Sequence, residues 1–273
     1  YVIDNHQISY ISAGRDILRL EDKETHHKRG MALILADPDY DFGLSEAQKK
    51  ESGSVKTGGS ASSPKPYELT YFTRLPDTKN EANTIQKILS ERMQIGVNNY
   101  QNEKAVEAVL HGADSPIIMH LATHGYFIGK EEFQAKPNTP ESSQMLFKDY
   151  PMLRSGIALA GINLSLKEGK DEGIMSAEKV MGLKLIGTDL VVLSACETGV
   201  GDVQSGEGVF GLKRAFILSG ARAVILSLWS VPSRETMDLM TRFYSLMADG
   251  KSKAKALMQA KLEMKEKKPN PFF

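Results

Sequence analysis

Residues 117–125 read Ile-Ile-Met-His-Leu-Ala-Thr-His-Gly, an apolar run that ends in a polar segment with a glycine. A short run rich in Ile, Leu and Met predicts a strand that is buried on both faces, as in a parallel sheet. Residues 190–195 read Leu-Val-Val-Leu-Ser-Ala and predict a second strand of the same kind, directly followed by Cys196. His124 and Cys196 therefore stand at the ends of two buried strands.

Three further apolar runs predict strands of similar character, at residues 31–36, 157–160 and 223–228. Apolar residues recur at helical spacing in the segments between and after these runs, with Asp77 as the expected N-cap of the first helix. The predicted helices cover residues 77–90, 102–110, 208–218, 233–247 and 251–268. Strands that alternate with helices predict an α/β fold, in which a mainly parallel central sheet is flanked by helices on both faces.

Cys196 and His124 are expected to meet, because the carboxyl ends of parallel strands lie along one edge of a sheet. A thiol beside an imidazole is the minimal apparatus for nucleophilic attack on a carbonyl, since the imidazole takes up or balances the thiol proton. Each residue alone has an ordinary structural interpretation, as a packed cysteine or a hydrogen-bonded histidine. Their joint position at strand ends, each followed by a segment that contains glycine, favours a shared site.

The composition limits the class of protein. The 273 residues contain 34 Lys and Arg and 34 Asp and Glu, so the formal charge is zero and gives no general affinity for nucleic acid or a membrane surface. A single cysteine excludes an intrachain disulfide and predicts a reducing, cytoplasmic location. The chain predicts one domain with flexible loops at residues 43–66 and 129–151, and no cofactor is indicated.

Three other chemistries fit the sequence poorly. A zinc site of His120 and His124 would need both imidazoles on one ion, but four residues of strand separate them by about 13 Å. The glycines after Cys196 match no phosphate-binding pattern, since Gln204 and Glu207 occupy positions that require Gly and Lys. Ser194 lacks the G-x-S-x-G elbow of serine hydrolases.

The motifs around both residues indicate a family. Residues 120–127, His-Leu-Ala-Thr-His-Gly-Tyr-Phe, and residues 193–199, Leu-Ser-Ala-Cys-Glu-Thr-Gly, are joined by matching segments at 153–161 and 206–216. Together they resemble the signature blocks of the CHAT peptidases, a family that belongs with the caspases, separases and gingipains. The resemblance extends from about residue 115 to residue 262.

The resemblance implies a caspase-type sheet and a catalytic dyad of Cys196 and His124. It also implies an oxyanion hole formed by the backbone N–H groups of Gly125 and Cys196, and glycine suits this position because no Cβ blocks the substrate. These enzymes generally work with a dyad, and no residue is assigned here to orient His124.

The resemblance further implies where a peptide substrate binds. In the caspase group an extended substrate pairs with the backbone near the end of the strand that follows the cysteine strand. The expected contacts here are Leu228, Trp229 and Ser230, with Trp229 forming either a wall of a side-chain pocket or ordinary core packing. Related sequences often carry acidic residues where Pro232 and Ser233 stand, so an uncharged residue is predicted before the cleavage site.

The sequence therefore predicts a cysteine endopeptidase that cleaves a specific protein partner. Because CHAT domains usually follow helical repeats of the TPR type, we expect residues 1–273 to form the C-terminal part of a longer chain, controlled by an upstream TPR-like region or a regulatory protein. The alternative is a catalytically silent caspase-like interaction module. The presence of both Cys196 and His124 favours the enzyme.

Overall fold

The computed structural model describes residues 30–46, 71–127, 150–168, 170–194, 207–227 and 232–268, together with residues 6, 8, 9 and 48. The loops predicted at 43–66 and 129–151 lie almost entirely outside the described residues. Cys196, Leu228, Trp229 and Ser230 also lie outside them.

The described residues form eight strands, which are β1 (Ala32–Pro38), β2 (Val97–Asn102), β3 (Ile118–Ala122), β4 (Gly125–Phe127), β5 (Ser155–Ala158), β6 (Ile174–Ser176), β7 (Leu190–Leu193) and β8 (Val224–Leu226). Five of them pair in parallel in the order β2-β1-β3-β7-β8. The three inner strands of this sheet are buried along their whole length. The predicted mainly parallel central sheet is confirmed.

Helices cover both faces of the sheet. They are α1 (Pro76–Lys87, continued by a π-helical turn at Ile88–Arg92), α2 (Glu107–His111), α3 (Ile162–Glu168), α4 (Ala177–Met181), α5 (Glu207–Leu218), α6 (Ser233–Ala248) and α7 (Lys253–Lys267). One apolar core joins α1, α6 and α7 to one face, and a second joins α2, α4 and α5 to the other. This is the layered α/β architecture that the alternation of strands and helices predicts.

The structure differs from the prediction in several places, and the helix expected at 102–110 is the short α2 at Glu107–His111. The strand expected at 157–160 is β5 at Ser155–Ala158, and it belongs to a separate antiparallel sheet, β4-β5-β6. The polar strand β2 was not predicted, because pairing with β1 rather than an apolar pattern defines it. Asp77 does not cap α1, since Pro76 already occupies the first turn and no side chain caps this end.

Candidate active site at the carboxyl edge of the sheet

His124 lies where the chain passes from the central sheet to the antiparallel one. β3 ends at Ala122 and β4 begins at Gly125, so only Thr123 and His124 separate them. The N–H of Ala158 in β5 donates to the carbonyl of His124 at 2.9 Å. His124 is thus held at the carboxyl edge of the sheet, and the residue is 6% exposed.

The imidazole of His124 bonds to a backbone carbonyl. Its Nε2 lies 2.8 Å from the carbonyl oxygen of Thr73, which can only accept a hydrogen bond. Nε2 must therefore carry a proton, and in the neutral ring Nδ1 is the basic nitrogen. This orienting group was missed by the sequence reasoning, and a backbone carbonyl has no residue signature that could have revealed it.

Two aromatic rings hold the plane of the imidazole. The centroid of the His124 ring lies 5.3 Å from that of Tyr40 and 5.6 Å from that of Phe72, in tilted arrangements. Tyr40 and Phe72 themselves lie 5.9 Å apart. Such separations are typical of favourable aromatic pairs, so the ring of His124 has little freedom to turn.

A chain of hydrogen bonds fixes the backbone of His124. Its N–H donates to the hydroxyl oxygen of Tyr40 at 3.2 Å, and the Tyr40 hydroxyl lies 2.9 Å from Oγ1 of Thr123. Because the Thr123 hydroxyl donates its own proton to the carbonyl of Ala158, Tyr40 must donate to Thr123. Burial raises the pKa of Tyr40 above its ordinary value, which keeps this hydroxyl neutral.

Tyr40 was not predicted as a site residue, although the sequence contains a signal for it. Residues 37–41 read Asp-Pro-Asp-Tyr-Asp and directly follow the core of β1. β1 pairs in parallel with β3, so its carboxyl end lies on the same edge as His124. A polar turn after a neighbouring strand would have pointed to these residues.

The segment that carries Thr73 is tied to the end of β1. Arg74 donates from Nε to Oδ1 of Asp37 at 3.1 Å and from Nη2 to Oδ2 at 2.5 Å, a bidentate pair. The pair raises the pKa of Arg74 above its usual range. The N–H of Asp37 donates to Oγ1 of Thr78, at the start of α1. The loop before α1 is thereby docked beside His124.

Comparison with known families agrees with this architecture. The CHAT domain family model matches residues 1–273, the whole chain. The chain belongs to the CHAT domain family. CHAT domains are related to the caspase-like cysteine peptidases.

Two curated relatives share part of this CHAT domain. They are the human and mouse proteins named Tetratricopeptide repeat protein 28, which are 35% and 33% identical to it over 89 residues. The aligned part is 33% of this chain and 4% of each relative. The chain therefore spans a small fraction of these proteins.

The strand register of the CHAT domain aligns the histidine and cysteine strands. Leu121 of β3 pairs with Leu193 of β7, and the N–H of Ser194 donates to the carbonyl of Leu121 at 2.9 Å. His124 and Cys196 each follow the aligned pair by three residues (124 − 121 and 196 − 193). Cys196 itself is outside the described residues, so its pairing with His124 stays a prediction.

Ser194 does not resemble an accessible nucleophile. The residue is 4% exposed, and its hydroxyl oxygen has no hydrogen-bond partner among the described residues. Since a serine nucleophile needs a base within hydrogen-bond reach, this burial weakens the serine hydrolase alternative further.

His120 does not belong to the candidate site. It lies inside β3, as the strand prediction required, and it is fully buried beside Glu81 of α1 and Tyr244 of α6. In the part of the chain that the structure describes, no three His, Cys, Asp or Glu side chains gather as a metal site would require. Likewise, none of the helices described is long and apolar enough to cross a membrane.

Proposed function

We propose that this CHAT domain is a cysteine endopeptidase in which Cys196 is the nucleophile and His124 the general base. The observation that carries the proposal is the hydrogen bond from Nε2 of His124 to the carbonyl of Thr73. It reserves Nδ1 for proton transfer at the edge where the cysteine strand also ends. Because Nε2 keeps its proton in both the neutral and the charged ring, the bond survives each transfer.

The chemistry follows from these roles. Nδ1 of His124 takes the thiol proton of Cys196, and the sulfur attacks the carbonyl carbon of the scissile peptide bond. The imidazolium then gives its proton to the leaving amine, which departs as the new amino terminus. Water, deprotonated by His124, attacks the thioester and releases the new carboxyl terminus with regeneration of the thiol.

The ladder geometry supports an oxyanion role for Gly125. The carbonyl of His124 points toward β5, where Ala158 donates to it. Backbone groups alternate in direction along an antiparallel strand, so the N–H of Gly125 points away from β5. We propose that this N–H and that of Cys196 stabilise the oxyanion of the intermediate.

Substrate binding is proposed next to β8. This strand pairs with β7 and ends at Leu226, two residues before Leu228. An extended peptide that pairs with Leu228, Trp229 and Ser230 would pass the end of the cysteine strand. The uncharged Pro232 and Ser233 support an uncharged residue before the cleavage site.

The relatives support a proposed mode of control. Their name refers to tetratricopeptide repeats. We propose that a TPR-like region upstream of this chain, or a separate regulatory protein, presents the protein substrate and controls cleavage in the cytoplasm.

The first test measures the reactivity of the single cysteine. A free thiol with an ordinary pKa of about 8.5 is only about 0.3% ionised at pH 6. A thiolate paired with the His124 imidazolium should react with iodoacetamide at least about thirtyfold faster at that pH. His124→Asn should remove this acceleration. Equal rates in wild type and His124→Asn would overturn the dyad.

The second test measures cleavage. The domain, with its upstream region, is incubated with a library of fluorogenic peptides and with candidate protein partners. Cys196→Ala should abolish cleavage, whereas Ser194→Ala should retain it as the matched control. Cleavage that persists in Cys196→Ala excludes the proposed nucleophile. Accelerated alkylation of Cys196 without any peptide cleavage would favour the catalytically silent interaction module.

A further inference from the structure

Asn163 joins the two segments that carry the aromatic neighbours of the His124 ring, Tyr40 and Phe72. It lies in the first turn of α3, and its side chain is 1% exposed. The backbone N–H of Asn163 donates to the carbonyl of Tyr40 at 3.0 Å. Its side chain bonds to Phe72, the second aromatic residue beside the imidazole. One residue thus bonds to both aromatic neighbours of His124.

The side-chain amide of Asn163 forms two hydrogen bonds with the backbone of Phe72. Its Oδ1 accepts from the N–H of Phe72 at 2.8 Å, and its Nδ2 donates to the carbonyl of Phe72 at 2.9 Å. Nδ2 also donates to Oδ1 of Asp41 at 2.8 Å. The partners fix the orientation of the amide, because the N–H can only donate and the two oxygens can only accept.

Asp41 and Asn163 together form an anchor for residues 71 and 72. The second carboxylate oxygen of Asp41 accepts from the hydroxyl of Tyr71 at 2.6 Å. Burial and this hydrogen bond raise the pKa of Tyr71 to about 12. The residues on both sides of Thr73 are therefore fixed, Tyr71 and Phe72 by Asp41 and Asn163, and Arg74 by Asp37.

We propose that Asn163 is a positioning residue, which holds the Thr73 carbonyl against Nε2 of His124 and thereby aims Nδ1 toward the nucleophile. The inference rests on the proposed function, although the contact that it concerns can be measured without peptidase activity. Asn163 acts on the imidazole through Phe72 and Thr73.

The decisive measurement follows the Nε2–H proton of His124 by NMR in ¹⁵N-labelled protein. A hydrogen bond to Thr73 slows exchange of this proton with water, and the signal is assigned by its loss in His124→Asn. Asn163→Ala should raise the exchange rate at least about tenfold, since the acceptor is no longer held in place. The same variant should shift the pH midpoint of Cys196 alkylation upward by at least about half a unit.

Two controls separate positioning from general loss of stability. Asn99→Ala, on the outer strand β2, removes an amide that bonds to Gln86 of α1, and it should leave both readouts unchanged. Asn163→Asp keeps an acceptor for the Phe72 N–H but places an oxygen instead of the amide donor against the Phe72 carbonyl and Asp41, so it should speed exchange as Asn163→Ala does, at nearly unchanged side-chain volume. Thermal unfolding is recorded for each protein.

The outcomes of the two proposals are distinct. Unchanged Nε2–H exchange in a folded Asn163→Ala protein overturns the positioning role and leaves the dyad intact. Wild-type alkylation that is indifferent to His124 overturns the dyad, while the exchange measurement still reports on Asn163. If Asn163→Ala does not fold, Asp41→Ala tests the same anchor from its other end, and unchanged exchange in that variant rejects the proposal.

Discussion

His120 and His124 lie four residues apart on one stretch of chain, yet their surroundings differ in kind. His120 is fully buried between α1 and α6, with Nδ1 3.3 Å from the hydroxyl of Tyr244. Its Nε2 lies 3.2 Å from Oε1 of Glu81, within ion-pair range but without hydrogen-bond alignment. His124 lies at the sheet edge, and its Nε2 bonds to the backbone carbonyl of Thr73.

A histidine that gains and loses a proton needs a hydrogen-bond partner that tolerates both charge states of the ring. A backbone carbonyl accepts from Nε2 whether or not Nδ1 is protonated, so it fixes the direction of the ring and permits proton transfer. At His120, by contrast, a carboxylate from α1 and a phenol from α6 lie against the imidazole in a buried core. We infer that His120 stabilises the packing of α1 and α6, and that His124 serves the chemistry.

The largest effect on stability is expected from Glu81→Ala. Removal of the carboxylate leaves His120 without its acidic neighbour in a dry core, which should lower the free energy of unfolding by about 3 kcal/mol. Glu81→Gln keeps the shape and should cost about 1 kcal/mol. Urea unfolding measures both.

The rate of Cys196 alkylation at pH 6 decides whether the two histidines are independent. In Glu81→Ala it should stay within about threefold of the wild type, because the His124 contacts come from Tyr40, Thr73 and Ala158 rather than from Glu81. A parallel loss of stability and reactivity would show that the two regions are coupled.

A pair of tyrosine variants sharpens the contrast. Tyr40 and Tyr244 are both fully buried, and each hydroxyl lies beside one of the two histidines. Tyr40→Phe leaves the His124 N–H without its acceptor and should cost about 1–2 kcal/mol of unfolding free energy. Since the His124 backbone then loses one of its hydrogen bonds, alkylation of Cys196 at pH 6 should slow by about three- to tenfold.

Tyr244→Phe is the matched control for that experiment. It removes a hydroxyl of the same type from the same depth, at a cost of about 1 kcal/mol, and should leave the alkylation rate within about twofold. Equal effects of the two variants on alkylation would contradict a special role for the Tyr40 hydroxyl.

Apolar patterns were sufficient to predict the inner sheet. β1, β3 and β7 are buried runs composed mainly of Ile, Leu, Val, Met and Ala, and their parallel orientation follows from helical connections. The position of His124 at the end of β3 was predicted for the same reason. The strand β2 was not predicted, since Val-Asn-Asn-Tyr-Gln-Asn has no apolar alternation and is defined by its pairing with β1.

The groups that hold His124 could not be predicted, because they come from segments distant in sequence. Thr73 lies 51 positions before His124, and it contributes a backbone carbonyl, a group that every residue has. Asn163 grips Phe72 across 91 positions, and only the fold brings them together. The sequence therefore reveals which side chains could carry chemistry, whereas the contacts that hold them depend on tertiary structure.

The smallest effect is expected on the outer helices behind His120, where charge pairs face solvent. Arg242 of α6 donates to Glu263 of α7 at 2.5 and 2.8 Å, and these bonds, aided by Gln259, lower the pKa of Glu263 to about 2. A carboxyl whose pKa is lower in the folded state stabilises the protein above its ordinary pKa, and this contribution is lost as the pH falls toward 2.

Glu263→Gln should therefore cost about 0.5 kcal/mol at pH 7, as is usual for exposed pairs. The difference from wild type should shrink as the pH falls from about 4.5 to 3 and in 1 M NaCl, as measured by urea unfolding. A difference that grows on acidification would contradict the pairing. A cost comparable to that of Glu81→Ala would remove the distinction between buried and exposed polar contacts on this side of the sheet.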